Sequence, residues 1–557
     1  MTVLDWLIVA AYFVVLAGIV WWSARRIKTT ADYFLAGREV GFFVVGASIF
    51  ASNIGSEHIV GLAGSGAANG LAQAHWELHA WVLVLLAWVF VPFYYRSGVF
   101  TMPEFLERRF NSRARWILAV VSLTAYVFTK VSVTVYAGAL VFRTLLADVF
   151  SSPDEAFWVG AIVTVLATGV YTVLGGLRAV VYTEVLQTGL LILGSVLITV
   201  FGLSALGGWE ELREVARLQG ERWALWRSNA DVNFPWLGVM ISSVVTGIWY
   251  WCTDQYIVQR TLAARSLEDA RRGALWGGFL KVWPVFIFLV PGMIGYALHV
   301  KGVIRIPTDA LGQPQGDMVF PTLVAELLPL GLRGLVVGGL LSALMSSLSS
   351  LFNSCATLFT VDIYEKLRPG RPEAELVRVG RIATAVVVGL GLLWIPIMKV
   401  MAESKAGLYD YLQNVQGFLA PPITAVFVLG LLSRRVNGRA AVWALGVGFV
   451  LALLKLTLQS MVQSGALEAT SLLGAIGAFN GYYFSGLLFL LSVGLLLGVS
   501  LATEPPPLEK IQGLTFGTVS RQDRADSRRT WDWRDVLLTI IVLGLVLAIY
   551  LYFSFWV

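Results

Sequence analysis

Asn53, Glu57 and His58 interrupt an otherwise apolar run, residues 42 to 66, within the stretch ASNIGSEHIVGLAGSG that also holds four glycines. A backbone in hydrocarbon must satisfy every N–H and C=O internally, so a polar, glycine-rich break survives there only where it lines a cavity or is buried in protein. Such breaks free backbone groups to hold an ion or a solute, and they mark the binding sites of secondary transporters. Glu77, Lys130, Glu184, Asp254, Lys281 and Lys455 also fall within apolar runs. A charge at a helix centre costs about 2.5–3.5 kcal/mol on insertion scales, so these side chains and Glu57 must face partners or water rather than lipid. Pairing of Glu57 or Glu77 with Lys281 relieves much of that cost, either inside a binding site or as a structural tie between helices. Lys130 and Lys455 lie near helix ends, where snorkelling or packing suffices to account for them, and no role is assigned to either.

Positioning these residues takes many membrane-crossing helices. Of 557 residues 57% are hydrophobic and 14% charged, and the mean hydropathy of +0.74 excludes a soluble globular domain. Apolar runs long enough to cross a bilayer are expected near residues 3–24, 41–66, 70–95, 115–148, 156–174, 179–206, 233–258, 273–299, 331–361, 380–402, 406–433, 437–460, 477–501 and 536–556, fourteen helices in all. The first has an acidic start and arginines after its core, the reverse of a cleavable signal, so it reads as a retained span. With the N-terminus outside, 28 of the 41 Lys and Arg residues fall in cytoplasmic connections and nine in outer ones. The positive-inside rule then places both termini outside. The net charge of +6 is thus an orientation signal, with no nucleic-acid partner implied.

The connections are modest. Gly208 to Asn233, with Trp209, Glu210 and Glu211, reads as a short amphipathic piece outside, and Lys301 to Leu330 carries the turn signals Pro307, Gly312 and Pro314. Thr503 to Trp533 is polar, opens on Glu504-Pro505-Pro506-Pro507, and reads as a cytoplasmic linker to the last helix. Cys252 and Cys355 sit in apolar segments and form no disulfide framework. The chain lacks HExxH, GxSxG and any recognisable metal-ligand cluster, so an enzyme is not expected.

Six blocks in order, ASNIGSEHIVGLAGSGAANG, WVFVPFYYRSGVFTMPEFLERRF, YTVLGGLRAVVYTEVLQ, WYWCTDQYIVQRTLAA, SALMSSLSSLFNSCATLFTVDIY and YLQNVQGFLAPPITAVF, resemble the sodium/solute symporter family. More narrowly, they are similar to its sodium/glucose and sodium/myo-inositol cotransporter branch. The resemblance implies an all-α membrane protein with a LeuT-type core of two inverted five-helix repeats. Residues 1–40 would form a flanking helix and cytoplasmic loop, 41–206 the first repeat, 207–232 an extracellular loop and 233–433 the second repeat. Two flanking helices (434–501), a cytoplasmic linker (502–535) and the last helix (536–557) complete the chain. The implied activity is sodium-driven uptake of a neutral monosaccharide, glucose or galactose first, by alternating access in a bacterial inner membrane.

The resemblance also implies sites. The family's sodium site falls on the carbonyls of Ala51, Ile54 and Ala343 and the hydroxyls of Ser346 and Ser347. A small hard cation wants several oxygens in place of its water, which carbonyls at a break and hydroxyls one helix away supply; taken alone, SSLSS would read as serines easing helix packing. The solute site falls on Asn53, His58, Glu77, Lys281 and Gln413, with aromatic walls at Trp76, Tyr250 and Trp251 and Tyr250 as inner gate. Carboxylate, ammonium and amide groups suit a polyhydroxyl ligand, and an aromatic face covers the C–H side of a sugar ring.

Some positions depart from the family pattern. Gly247, beside Thr246, stands where relatives carry Asn or Thr; His58 and Ala80 match animal-type glucose carriers rather than a bacterial galactose-type one, which has Gln and Ser there; and Glu57 is closer to the inositol carriers. The family's acidic residue after YTVLGGL is usually Asp, belongs in some members to a second sodium site, and is Glu184 here. One or two sodium ions therefore stay open, as do myo-inositol or an amino acid as solute and a channel or non-transporting sugar sensor as the activity.

Overall fold

The computed structural model describes residues 2–55, 57–145, 150–308, 314–329, 331–402 and 408–557; the side chains at 144, 145, 317, 397–402 and 408–411 fall outside the description, as do Ser56 in the break, the Gly312 turn signal and Lys405. Among the described residues the regular elements are helices, and 12 of them are long and apolar enough to cross a membrane. Two features reconcile that count with fourteen predicted runs. Residues Pro153–Leu206 give 54 residues of helix, about 80 Å at 1.5 Å per residue against hydrocarbon about 30 Å thick. The backbone breaks at Gly176 (φ 51°, ψ −153°), so this stretch supplies two spans. A Cβ at Gly176 would lie 2.5 Å from the carbonyl oxygen of Tyr33, and only glycine takes that φ without strain. Phe42–Asn53, with 12 residues, is too short to cross alone and needs the helix that resumes beyond the break.

The helices sort into a buried core and a lipid-facing rim. Leu332–Leu367 has 89% of its most apolar window buried, whereas Trp533–Ser554 has 22%, with Ile540, Leu547 and Leu551 exposed. Hydrocarbon is as apolar as leucine, so the core helices associate by close packing. Phe42–Asn53 lies against Leu267–Lys281. At their crossing a Cβ on Gly46 would sit 2.7 Å from the Gly273 carbonyl oxygen and 2.9 Å from the Gly277 nitrogen. Gly273, Gly277 and Lys281 share one helix face at four-residue spacing. The glycines that draw these helices together therefore also aim Lys281 at the break after Asn53.

Outside the core, Trp209–Gln219 is the short amphipathic helix expected of that connection. The segment after Thr503 is more folded than a linker. Arg521–Arg529 forms a helix capped by Ser520, and Arg271 from a core helix donates to Thr530 Oγ1 at 2.8 Å. Arginine forks reach backbone and hydroxyl acceptors here, a pairing that polar composition alone does not reveal.

Candidate functional site

The broken helix ends because Ile54 turns to extended geometry (φ −90°, ψ 95°). The chain resumes helix at Glu57 in a π-turn, with the N–H groups of His58 and Ile59 reaching back to the Gly55 carbonyl at 3.0 and 3.3 Å. Leu332–Thr357 passes this point with a serine face. Ser346 Oγ donates to the carbonyls of Ala51 and Ala343, each at 2.9 Å, and Ser347 Oγ donates to the Ser52 carbonyl at 3.3 Å. Ala51, Ala343, Ser346 and Ser347 are therefore gathered where the two helices meet, and Ile54 is buried at the helix end beside them. These are neutral oxygens from carbonyls and hydroxyls, the donor chemistry a monovalent hard cation accepts.

A cavity adjoins the break, and all eight residues expected at the solute site line it. Lys281 Nζ donates to Glu77 Oε2 at 2.5 Å, and His58 Nε2 lies 3.8 Å from the other Glu77 oxygen. The carboxylate sits on a four-residue helix, Ala74–Glu77, which also presents Trp76. Tyr250 and Trp251 come from a π-turn, Trp249–Thr253. Tyr250 accepts a hydrogen bond from Asn53 Nδ2 at 3.2 Å, which closes one side of the space, and Gln413 faces in from Leu408–Leu432. Three buried polar atoms on residues of this cavity have no hydrogen-bond partner among the described residues: Asn53 Oδ1, Thr246 Oγ1 and Trp251 Nε1. A buried polar group left unmade costs about 1–3 kcal/mol, so three around one space mark it as built for a hydrogen-bonding occupant.

Several cavity residues escape sequence reasoning. Lys130 Nζ donates to Asp254 Oδ2 at 2.8 Å and stands 4.6 to 5.3 Å from the ring centres of Tyr126, Trp249, Tyr250 and Tyr256, a cation inside an aromatic cage. Lys130 is thus paired at the cavity and does not snorkel. Gln416 and His79 also line the space; Gln416 follows Gln413 by one helical turn, a spacing that was available as a signal. Gly247 approaches His79 so closely that a Cβ would meet the ring Cε1 at 3.0 Å. Lys455 lies elsewhere, donating to the carbonyls of Gly477 and Phe479 at 2.7 and 2.8 Å and so holding the short helix Leu472–Ala478.

Glu184 sits behind the break, fully buried. It accepts from Ser52 Oγ at 2.9 Å, from Ser350 Oγ at 2.5 Å and from Ser48 Oγ, and Arg260 Nη2 lies 3.5 Å away. The carboxylate is saturated by protein groups.

Comparison with known proteins agrees with this architecture. The model of the sodium:solute symporter family matches residues 33–448. Sodium/glucose cotransporter 4 of Danio rerio is 36% identical over 95% of this chain and 83% of its own length. Sodium/myo-inositol cotransporter 2 of Homo sapiens is 39% identical over 92% of this chain and 79% of its own. A Na+-coupled sialic acid symporter, solved in a substrate-bound outward-open state, superposes with a TM-score of 0.74 at 22% identity, covering 90% of this chain and 98% of that one. That likeness fixes the fold, the LeuT-type core of two inverted repeats. With the family match spanning most of the chain and relatives at this identity over nearly all of it, the protein belongs to the sodium:solute symporter family and is a sodium-coupled solute symporter embedded in a membrane by many helices.

Proposed function

We propose that the solute is a neutral monosaccharide, glucose or galactose first, carried with sodium by alternating access. The observation that carries this reading is the set of partnerless atoms on Asn53, Thr246 and Trp251 around a cavity that also holds the Glu77–Lys281 pair. Hydroxyl groups donate and accept at once, so a sugar can satisfy the Asn53 oxygen and the Trp251 N–H together, beside the Glu77 carboxylate. Lys281 orients Glu77, Gln413 and His58 complete the polar rim, and Trp76, Tyr250 and Trp251 cover the ring's C–H faces. Tyr250, hydrogen-bonded to Asn53, acts as the inner gate.

Sodium, the co-transported ion, takes the carbonyls of Ala51, Ile54 and Ala343 and the hydroxyls of Ser346 and Ser347. Bound there, it ties the break to the serine helix and so fixes Asn53, two residues after Ala51, in the position that meets solute. Glu184 is the candidate partner of a second sodium; because Arg260 already balances it, we favour one ion per cycle. In the same reading residues 41–206 and 233–433 are the two repeats, both termini face outward, and the membrane is a bacterial inner membrane.

A second reading, myo-inositol, is favoured by Glu57, which lines the cavity and accepts from Thr134 Oγ1 at 3.3 Å, and by the similarity to a sodium/myo-inositol cotransporter. Uptake into liposomes tests both. Labelled glucose should accumulate under an inward sodium gradient and not under potassium, and excess galactose should block it. Accumulation of inositol or proline instead would overturn the sugar while keeping the mechanism. Binding without accumulation would make the protein a sensor.

A further inference from the structure

His75 and His79 stand two residues to either side of Glu77, and the fold spends them differently. His75 uses both ring nitrogens. Its Nε2 donates to the Leu225 carbonyl at 2.9 Å, which leaves Nδ1 to accept from the Tyr550 hydroxyl at 3.2 Å. His79 uses one: its Nε2 is 2.8 Å from Ser243 Oγ, and no group among the described residues hydrogen-bonds its Nδ1. His79 is buried and lines the central cavity, whereas His75 does not. Nδ1 is therefore the polar atom that His79 has left to offer there.

The surroundings of the ring decide where its proton sits. Ser243 Oγ donates to the His75 carbonyl at 3.4 Å, so that oxygen receives the Nε2 proton of His79, and Nδ1 keeps a bare lone pair. The ring is seated by what is missing beside it. Ser243 and Gly247 share one helix face at four-residue spacing. A Cβ at Gly247 would lie 3.0 Å from His79 Cε1, 3.1 Å from Nε2 and 3.3 Å from Cδ2. The imidazole thus takes up space that a side chain at 247 would need, and the same edge of the ring carries the bond to Ser243.

We propose that His79 is a specificity-determining residue, its Nδ1 accepting a hydrogen bond from one hydroxyl of the solute in the central cavity, from a seat that glycine at 247 leaves open; this rests on the sugar reading above. A bare ring nitrogen accepts and cannot donate, so it distinguishes a hydroxyl from a hydrogen at that point of the solute. Trp251 Nε1, on the same cavity and also without a partner, donates and cannot accept. The two supply both halves of what a hydroxyl exchanges. A solute lacking the hydroxyl leaves the His79 lone pair unpaired, and a site built around a buried polar group rejects such an analogue. Ser243 is the positioning residue: it fixes the tautomer and is not part of the cavity lining.

Sodium-driven uptake of labelled glucose by the full chain in liposomes, competed by unlabelled glucose and by each of its monodeoxy analogues, tests this. Each analogue carries a penalty, the factor by which it competes more weakly than glucose. In His79→Phe, glucose itself should compete about five-fold more weakly, the worth of one neutral hydrogen bond. The penalty of one analogue alone should then vanish while the others keep theirs. His79→Asn, whose carboxamide puts an acceptor near the place of Nδ1, should restore part of that one penalty. An equal shift for glucose and every analogue would make His79 a packing residue and overturn the inference, as would no shift at all; the sugar reading survives both. Should His79→Phe fail to fold, Ser243→Ala carries the test: it should shrink one analogue's penalty about two-fold and no other, and unchanged penalties overturn the inference. Wild type that takes up no glucose in sodium overturns the sugar reading and the inference with it.

Discussion

Glu77 and Glu184 are both buried carboxylates beside the same broken helix, each matched by a cation, yet their surroundings differ in kind. Glu184 meets three serine hydroxyls and a guanidinium and has no face left over. Glu77 meets Lys281 on one oxygen and a histidine nitrogen at 3.8 Å on the other, and it opens on a cavity. A buried charge enclosed by protein holds helices in place; one that borders a cavity can meet a ligand. Burial and pairing alone do not tell these two carboxylates apart, whereas access to a cavity does.

The largest expected effect breaks the saturated site. Glu184→Ala strands Arg260 in the core and should cost about 3–5 kcal/mol of stability, read as a lowered unfolding temperature in detergent, while Glu77→Ala, whose partner can be reached by water from the cavity, should cost less than half as much. Equal losses would erase the distinction between the two carboxylates. Next in size, Lys281→Ala should raise the solute concentration for half-maximal uptake about a hundred-fold, the loss of a charge-assisted hydrogen bond. A smaller shift belongs to the cation. Ser347→Ala should raise the sodium required for half-maximal uptake about ten-fold, and Ser349→Ala, whose hydroxyl turns back to the Ser346 carbonyl at 3.0 Å, should leave sodium dependence alone. The smallest sharpens the solute wall: Gly247→Ala presses on the His79 ring and should change solute affinity by about two- to three-fold, visible in competition between glucose and inositol.

Much of this was readable from the chain. Asn53, Glu57 and His58 stand out because polar groups and glycine contradict the apolar run that holds them, and the resemblance then named Lys281 and Gln413, which line the cavity, and Ser346, which reaches the Ala51 carbonyl. The ion pairs at Lys130 and Glu184 were not readable. Lys130 and Asp254 lie 124 residues apart, and no periodicity announces an aromatic cage assembled from separate helices. Arg260 counts as a cytoplasmic-loop cation when charges are tallied by position, but its side chain is fully buried. A tally of charges orients a membrane protein without saying which of them have gone inside. The folded segment around Arg521–Arg529 was hidden for a related reason, since its partners are arginines on distant helices.

The turn at Gly176 has a practical consequence for anyone who would label or cut this protein. The two spans of Pro153–Leu206 are joined without a loop, through a residue whose missing side chain is filled by Tyr33. A fluorophore can be carried at the exposed Arg528, in the segment before the last helix, but not between these two spans. Split-protein and accessibility experiments must treat residues 153–206 as indivisible.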